Sequence, residues 1–290
     1  MRSEYLHYRS LMVTPVLDER KWAKMPSIPF DVLIVGMEDT VPPARKLEGR
    51  NAVVAALSQP EYIGNRPIFV TPNAIDTKWG PDDLRALADC GVGRTMVPKV
   101  RNVGDVDRVA TLFDQLGCHP DLIPIIETPG GVADVDRIAS HERVVAMSFG
   151  EGDLSAALGT KIYPSAPGVV NPILDYARAK VVIAAGTASK ACYDAAFVND
   201  IKNLDEFRAR VVASAHIGFT GCDAIYPPFI EIINEAYSPT EEEISHAHEV
   251  LRAYAEAEEK GAPAVQLADG TVLLIHDRIK AQKILARARH

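Results

Sequence analysis

Short apolar runs recur along the chain at Ser10–Thr14, Val32–Met37, Pro67–Thr71, Thr95–Val100, Leu122–Glu127, Val144–Phe149, Ala191–Val198 and Cys222–Tyr226. Each is rich in Val, Ile, Phe or Met, as strands covered on both faces must be. Between them lie amphipathic segments such as Asp82–Cys90, Val103–Leu116 and Leu204–His216. This alternation predicts parallel strands joined by right-handed helical crossovers. Eight such strands close an α/β (β/α)8 TIM barrel, with a doubly wound open sheet as the competing arrangement.

Two stretches depart from the repeat. A Gly/Pro-rich connection, Gly159–Pro172, follows the sixth run and leads into a long helix near Ile173–Gly186. Enlarged connections of this kind on barrels often carry binding function. Beyond the eighth run, Ser238-Pro239-Thr240 followed by Glu241–Glu243 is a helix start with acids in the first turn. That helix runs towards Lys260 and stops at Gly261-Ala262-Pro263. Val265–Leu267, Asp269-Gly270 and Val272–Ile275 then read as a hairpin, with Asp-Gly in the turn, before a last helix over Asp277–Ala288. The expected organisation is a barrel over residues 1–237 and a helical and hairpin extension over 238–290 that caps a mouth and contacts a neighbouring subunit.

Composition narrows the class. With 290 residues, 47% hydrophobic and 24% charged, the chain is long enough for one large α/β core. The net charge of -8 argues against a nucleic-acid partner. No run of ~18 apolar residues is present, so no membrane span is expected. Cys90, Cys118, Cys192 and Cys222 form no C-x-x-C pair, which fits a reducing cytoplasm better than a zinc site or a disulfide framework.

In barrels of this kind the chemistry sits where the strands end. Those ends carry Thr14, Glu38–Asp39, Thr71–Asn73, Lys99, Glu127, Glu151–Asp153, Asp194 and Tyr226. Carboxylates converging on one mouth repel one another unless a cation neutralises them. Oxygen-only ligands favour a hard ion such as Mg²⁺. Glu127 and Asp153 follow adjacent strands and are the expected ligand pair; the bland reading is that each caps the following helix. No P-loop, nucleophile elbow, H-E-x-x-H or dinucleotide fingerprint occurs.

The chain resembles the citrate lyase β-subunit-like family of acyl-CoA lyases and aldolases, within the HpcH/HpaI aldolase/citrate lyase superfamily. The resemblance rests on Arg9-Ser10-Leu11-Met12-Val13-Thr14-Pro15, Gly36-Met37-Glu38-Asp39-Thr40-Val41-Pro42-Pro43, Val97-Pro98-Lys99-Val100, Ile126-Glu127-Thr128, Phe149-Gly150-Glu151-Gly152-Asp153-Leu154, Tyr176-Ala177-Arg178 and Gly218-Phe219-Thr220-Gly221, together with the stretch from Asn234 to Glu243. It implies a barrel of the phosphoenolpyruvate/pyruvate-binding type and a homo-oligomer, trimeric or hexameric. It further implies Mg²⁺ on Glu127 and Asp153, and cleavage or formation of a carbon–carbon bond between a 2-oxo-acid and an acyl-CoA or related hydroxy-acid. Under that resemblance Glu38, Asp39, Lys99 and Asp194 are the catalytic and supporting groups. Thr71, Asn73, Arg178 and Tyr226 are the substrate contacts.

Some positions depart from the family pattern. Where the family has Arg-x-Asn after the third strand, this chain has Thr71-Pro72-Asn73. A hydroxyl cannot replace a bidentate, charge-assisted clamp. The family's Gly-Lys-x-x-Ile-His-Pro is here Gly221-Cys222-Asp223-Ala224-Ile225-Tyr226-Pro227. Two readings follow: a Mg²⁺-dependent lyase acting on an acyl-CoA or a free hydroxy-acid, or a metal- and oxo-acid-binding barrel with lost or altered lyase activity. Arg9 and Arg45 are the expected sources of the charge that Thr71 lacks.

Overall fold

The eight apolar runs pair in sequence order into one closed parallel barrel in the computed structural model, which describes residues 3–162, 171–260, 265–267 and 269–288. The strands are β1 (Ser10–Pro15), β2 (Val32–Gly36), β3 (Ile68–Thr71), β4 (Arg94–Val97), β5 (Asp121–Ile126), β6 (Ala146–Phe149), β7 (Ala191–Asp194) and β8 (Gly221–Ala224). Closure comes from β8 pairing with β1, Ser10 opposite Cys222 and Met12 opposite Ala224. The open-sheet alternative is therefore excluded.

Helices cover the outside. In chain order they are α1 (Glu19–Trp22), α2 (Lys46–Leu57), α3 (Gly80–Asp89), α4 (Val103–Gln115), α5 (Pro129–Ala133), α6 (Val135–Ser140), α7 (Glu151–Leu158), α8 (Pro172–Ala188), α9 (Leu204–Ile217) and α10 (Phe229–Tyr237). Residues 163–170 of the expected Gly159–Pro172 connection lie outside the described residues, as does the Gly261-Ala262-Pro263 stop.

Three strands end two or more residues earlier than the apolar pattern suggests. β4 stops at Val97 because Pro98 has no N–H to give a neighbour and Lys99 adopts a left-handed backbone, φ 54°. β7 stops at Asp194, after which Phe197 N–H turns back to the Ala195 carbonyl at 3.1 Å. β8 stops at Ala224, and Tyr226 begins a turn whose carbonyl accepts from Phe229 N–H at 2.9 Å. In each case the residues beyond the strand belong to the mouth and not to the sheet.

The opposite end of the barrel is plugged. A short 3-10 helix, Ser3–His7, places Tyr5 under the strands, fully buried with Leu11, Val32, Phe69, Met96, Ile123 and Tyr193. Tyr5 OH donates to Asp121 Oδ2 at 2.6 Å, and Tyr193 OH donates to the Tyr5 carbonyl at 2.7 Å. Tyr5, Tyr8, Phe69 and Tyr193 fill this end with ring contacts of 5.7 to 6.3 Å. A sealed N-terminal end leaves the C-terminal ends of the strands as the way in.

The chain divides into two compact units, residues 1–234 and 235–290. The second holds α11 (Glu241–Lys260), the antiparallel pair β9 (Val265–Gln266) and β10 (Val272–Leu273), and α12 (Ile275–Ala288). Its start is a reciprocal cap: Glu243 N–H donates to Thr240 Oγ1 at 3.1 Å and Thr240 N–H to Glu243 Oε2 at 2.8 Å. Gly270 takes φ 89° in the hairpin turn, as the Asp-Gly pair requires. Val250, Tyr254, Leu267, Leu273 and Ala281 form its small core. The last helix starts two residues earlier than the sequence suggests, so the second hairpin strand is correspondingly short.

Candidate active site

A cavity of about 350 Å³ opens at the C-terminal ends of the strands, a volume suited to a small ligand. Its walls are mostly apolar, with Val13, Ile34, Met96, Ile125, Phe149 and Ala195 among them. Its polar side chains are mostly acids: Glu38, Asp39, Glu127, Asp153 and Asp223, with Thr71 and Ser148 beside them.

Four of those acids surround one ammonium group. Lys99 Nζ lies 3.8 Å from Glu38 Oε1, 3.8 Å from Asp39 Oδ2 and 3.9 Å from Glu127 Oε1, and it touches Asp153 Oδ2. The left-handed backbone at Lys99 makes this possible, because it turns the residue's own N–H onto Glu127 as well, 2.7 Å from Oε1. Main chain and side chain of one residue thus address the same carboxylate.

Burial sets the electrostatics. It pushes Glu127 up to about 8, with Lys99 opposing and the charges of Glu38 and Asp153 adding. It pushes Glu38 up to about 7, again against Lys99 and with Asp39 and Asp153 adding. Lys99 is partly buried, which works against its charge, but Glu127, Asp153 and Glu38 outweigh that and hold it above the ordinary lysine range. Asp39 stands at the rim, its side chain 80% exposed.

Glycine lets the next strand end approach. A Cβ on Gly150 would stand 2.7 Å from Glu127 Cβ and 2.9 Å from its Oε2. The β6–α7 connection can therefore pack directly on Glu127, which brings Asp153, in the first turn of α7, to the same ammonium.

The ten residues expected at the site divide into two groups. Glu38, Asp39, Thr71, Lys99, Glu127 and Asp153 come together at the mouth. Asn73, Arg178, Asp194 and Tyr226 are not among the described residues lining the cavity. Asn73 gives its amide to the Met37 carbonyl and Asp83 and accepts from Lys46 Nζ at 2.6 Å, so its polar capacity is already used. Lys46 Nζ also donates to the Met37 and Glu38 carbonyls, both at 2.8 Å, so this pair fixes the loop that carries Glu38. Tyr226 packs edge-on against Phe229, ring centroids 5.5 Å apart.

Arg178 and Asp194 belong to a buried charge network behind the site. Arg178 touches Asp194 and donates to Glu151 Oε2 at 3.3 Å. Glu151 also accepts from Arg210 and from Phe197 N–H at 3.1 Å. The network ties the start of α7, the end of β7 and the cavity-lining segment around Phe197 together. Burial, with Asp194 adding, pushes Glu151 up to about 6 against its two arginines. Sequence reasoning did not find Arg210, which lies 59 residues from its partner on a helix with no motif. Neither expected substitute for an arginine at Thr71 reaches the mouth. Arg9 is bound to Asp31 at 3.0 Å at the start of β1, and Arg45 is bound to Glu48 on the surface. The Thr71 hydroxyl itself turns to Met96 Sδ at 3.5 Å.

Among the described residues no group of three or more His, Cys, Asp or Glu is arranged as a metal cage. The point on which Glu127 and Asp153 converge holds the Lys99 ammonium instead. An all-oxygen pair that already shares one cation fits a hard divalent ion. Among the described residues no helix is long and apolar enough to cross a membrane.

Comparison with known proteins places the family and the fold. A family model described as HpcH/HpaI aldolase/citrate lyase matches residues 9–227. A (3S)-malyl-CoA thioesterase of Cereibacter sphaeroides is 30% identical over 281 residues, covering 97% of this chain and 94% of the relative. Citrate lyase subunit beta of Escherichia coli is 28% identical over 97% of this chain and 93% of its own length. Among solved structures, CitE from Mycobacterium tuberculosis in complex with magnesium, acetoacetate and coenzyme A superposes with a TM-score of 0.80 at 25% identity, over 98% of this chain and 99% of that one.

The Gly150 packing gives a direct test. Gly150→Ala should cost about 1–3 kcal/mol in urea unfolding, since a methyl group must displace Glu127. Gly152→Ala, whose Cβ would meet only Phe197 Cε2 at 3.8 Å, should be neutral or slightly stabilising within α7. Equal effects at the two positions would refute the close approach.

Proposed function

The chain belongs to the HpcH/HpaI aldolase/citrate lyase family, and from that premise we propose that it is a Mg²⁺-dependent carbon–carbon lyase acting on a 2-oxo-acid and an acyl-CoA or related hydroxy-acid. The observation that carries this reading is the convergence of Glu38, Glu127 and Asp153 on one cationic point in an otherwise apolar cavity. The magnesium in the related CitE complex supports the choice of ion. In this reading Glu127 and Asp153 hold the ion, which when bound polarises the carbonyl oxygen it ligates.

The remaining roles fall to the chain's own side chains. Cleavage of a β-hydroxy thioester requires a base to take the hydroxyl proton as the carbon–carbon bond breaks. The electron pair passes to the acyl fragment as an enolate, which must then take up a proton. Glu38, with a pKa near 7, can hold or release a proton at neutral pH. Lys99 supplies positive charge beside the developing oxyanion. Asp39, at the rim, adds to the field around Lys99. Asn73, Arg178 and Asp194 act as positioning residues through the networks described above, and Tyr226 stands outside the cavity wall.

Thr71 favours a modified form of this activity. Its hydroxyl faces Met96, and neither Arg9 nor Arg45 reaches it to supply a charge-assisted clamp. The substrate is accordingly an oxo-acid or hydroxy-acid other than the usual CoA esters of the family.

The C-terminal unit is the proposed cap and subunit contact. Val272, Leu274, Ile275 and Ile279 are 48 to 64% exposed on its hairpin and last helix, a cluster of large apolar side chains in want of a surface.

Three outcomes test these readings. Asp153→Ala should abolish Mg²⁺ binding in calorimetry with circular dichroism unchanged; full affinity in that variant would refute the ligand assignment. Malyl-, citramalyl- and citryl-CoA should be cleaved weakly, and Thr71→Arg should raise that rate about a hundredfold, the worth of one preorganised donor. Turnover of these esters near ~10 s⁻¹ by the unmodified protein would show that Thr71 is no handicap, and CoA release without an oxo-acid product would mark a thioesterase instead. Leu274→Glu with Ile275→Glu should dissociate the oligomer in sedimentation; unchanged association would refute the contact.

A further inference from the structure

Asp223 is the one acid of the cavity that sequence reasoning passed over, and it stands apart from the cluster around Lys99. It lies on β8 in register with Leu11, whose side chain packs inside the barrel, and it lines the same cavity as Glu127. In the closed order β8 is three strands from β5 and next to β1, so Asp223 faces the cavity from across the barrel. Its Oδ1 is shielded from solvent and has no hydrogen-bond partner. A shielded carboxyl oxygen without a partner is uncommon in a native fold and asks for an explanation. A ligand that fills the cavity supplies one.

The chemistry of that ligand end follows from the charges around it. The charge acting on Asp223 is the negative one of Asp194, and burial together with that charge pushes the carboxyl up to about 8. It therefore carries a proton to give at neutral pH. Among the described residues no cation is among the groups acting on it, so a second carboxylate there would go unbalanced. A hydroxyl group suits the position because it both accepts and donates, whichever form the carboxyl takes.

We propose that Asp223 is a specificity-determining residue whose carboxyl hydrogen-bonds a hydroxyl group on the substrate end pointing away from Glu127 and Asp153. The cavity then selects an oxo-acid bearing a distal hydroxyl over one ending in methyl or carboxylate. The inference rests on the oxo-acid reading above and adds the substrate class to it.

Calorimetric titration with hydroxypyruvate, pyruvate and oxaloacetate, each in the presence of Mg²⁺, tests it. The unmodified protein should bind hydroxypyruvate at least about tenfold more tightly than pyruvate, because a site built to hydrogen-bond a hydroxyl rejects the analogue lacking it. Oxaloacetate should be no better than pyruvate. Asp223→Leu should erase the preference with circular dichroism unchanged, and Asp223→Asn should keep most of it. Equal affinity for the three acids, or a preference that survives in Asp223→Leu, overturns the proposal and leaves the oxo-acid reading standing. Binding of none of them overturns both.

Discussion

Acidic side chains that share one barrel mouth must share a cation, and the rest of this site is arranged around that constraint. Glu38, Asp39, Glu127 and Asp153 all lie within 4 Å of Lys99 Nζ. Burial and mutual repulsion push Glu38 up to about 7 and Glu127 up to about 8, and positive charge among them works the other way. Lys99 supplies that charge from inside the chain. Its left-handed backbone is the local strain that lets it do so, and the N–H bond to Glu127 holds the strained conformation in place.

Support for the mouth comes from behind it. On one side, Lys46 and Asn73 tie the end of β2 to the loop after β3. On the other, Arg178, Arg210, Glu151 and Asp194 tie the start of α7 to the end of β7. Both networks are largely buried and hydrogen-bonded, so they fix the backbone positions behind the cavity. Below them the Tyr5 plug closes the other end of the barrel. The result is a cavity open at the C-terminal ends of the strands, with a cation point among its acids and a mostly apolar wall, conditions that strengthen electrostatic interactions.

The fold was legible because buried parallel strands leave a strong pattern: eight apolar runs at regular intervals, all found as strands. Their ends were less legible. Val100, Val198 and Tyr226 continue the apolar pattern past the true strand ends, because a buried valine, a cavity-lining valine and a ring packed on Phe229 all read like strand interior. The grouping at the candidate site was also legible, because Glu38, Lys99 and Glu127 follow their strands within two residues and Asp153 stands in the first turn of the helix after β6. What the sequence could not convey was direction. Asn73 and Asp194 follow strands just as closely, yet each turns to a buried partner, Asp83 and Arg178, on another element. Asp223 escaped notice for the opposite reason: it lies inside a strand, where alternation matters more than strand ends, and no motif marks it.

The central claim is that one cation point organises the mouth and that Lys99 occupies it until a divalent ion arrives. Removing the ammonium alone tests this most directly. Mn²⁺, titrated as a paramagnetic substitute and followed by electron paramagnetic resonance, should bind one ion per chain. In Lys99→Met it should bind more tightly, by about tenfold, since a competing cation is gone and four carboxylates are left uncompensated. Weaker or absent Mn²⁺ binding in Lys99→Met, with the fold intact by circular dichroism, would contradict it and would make Lys99 a partner of the ion and not its stand-in.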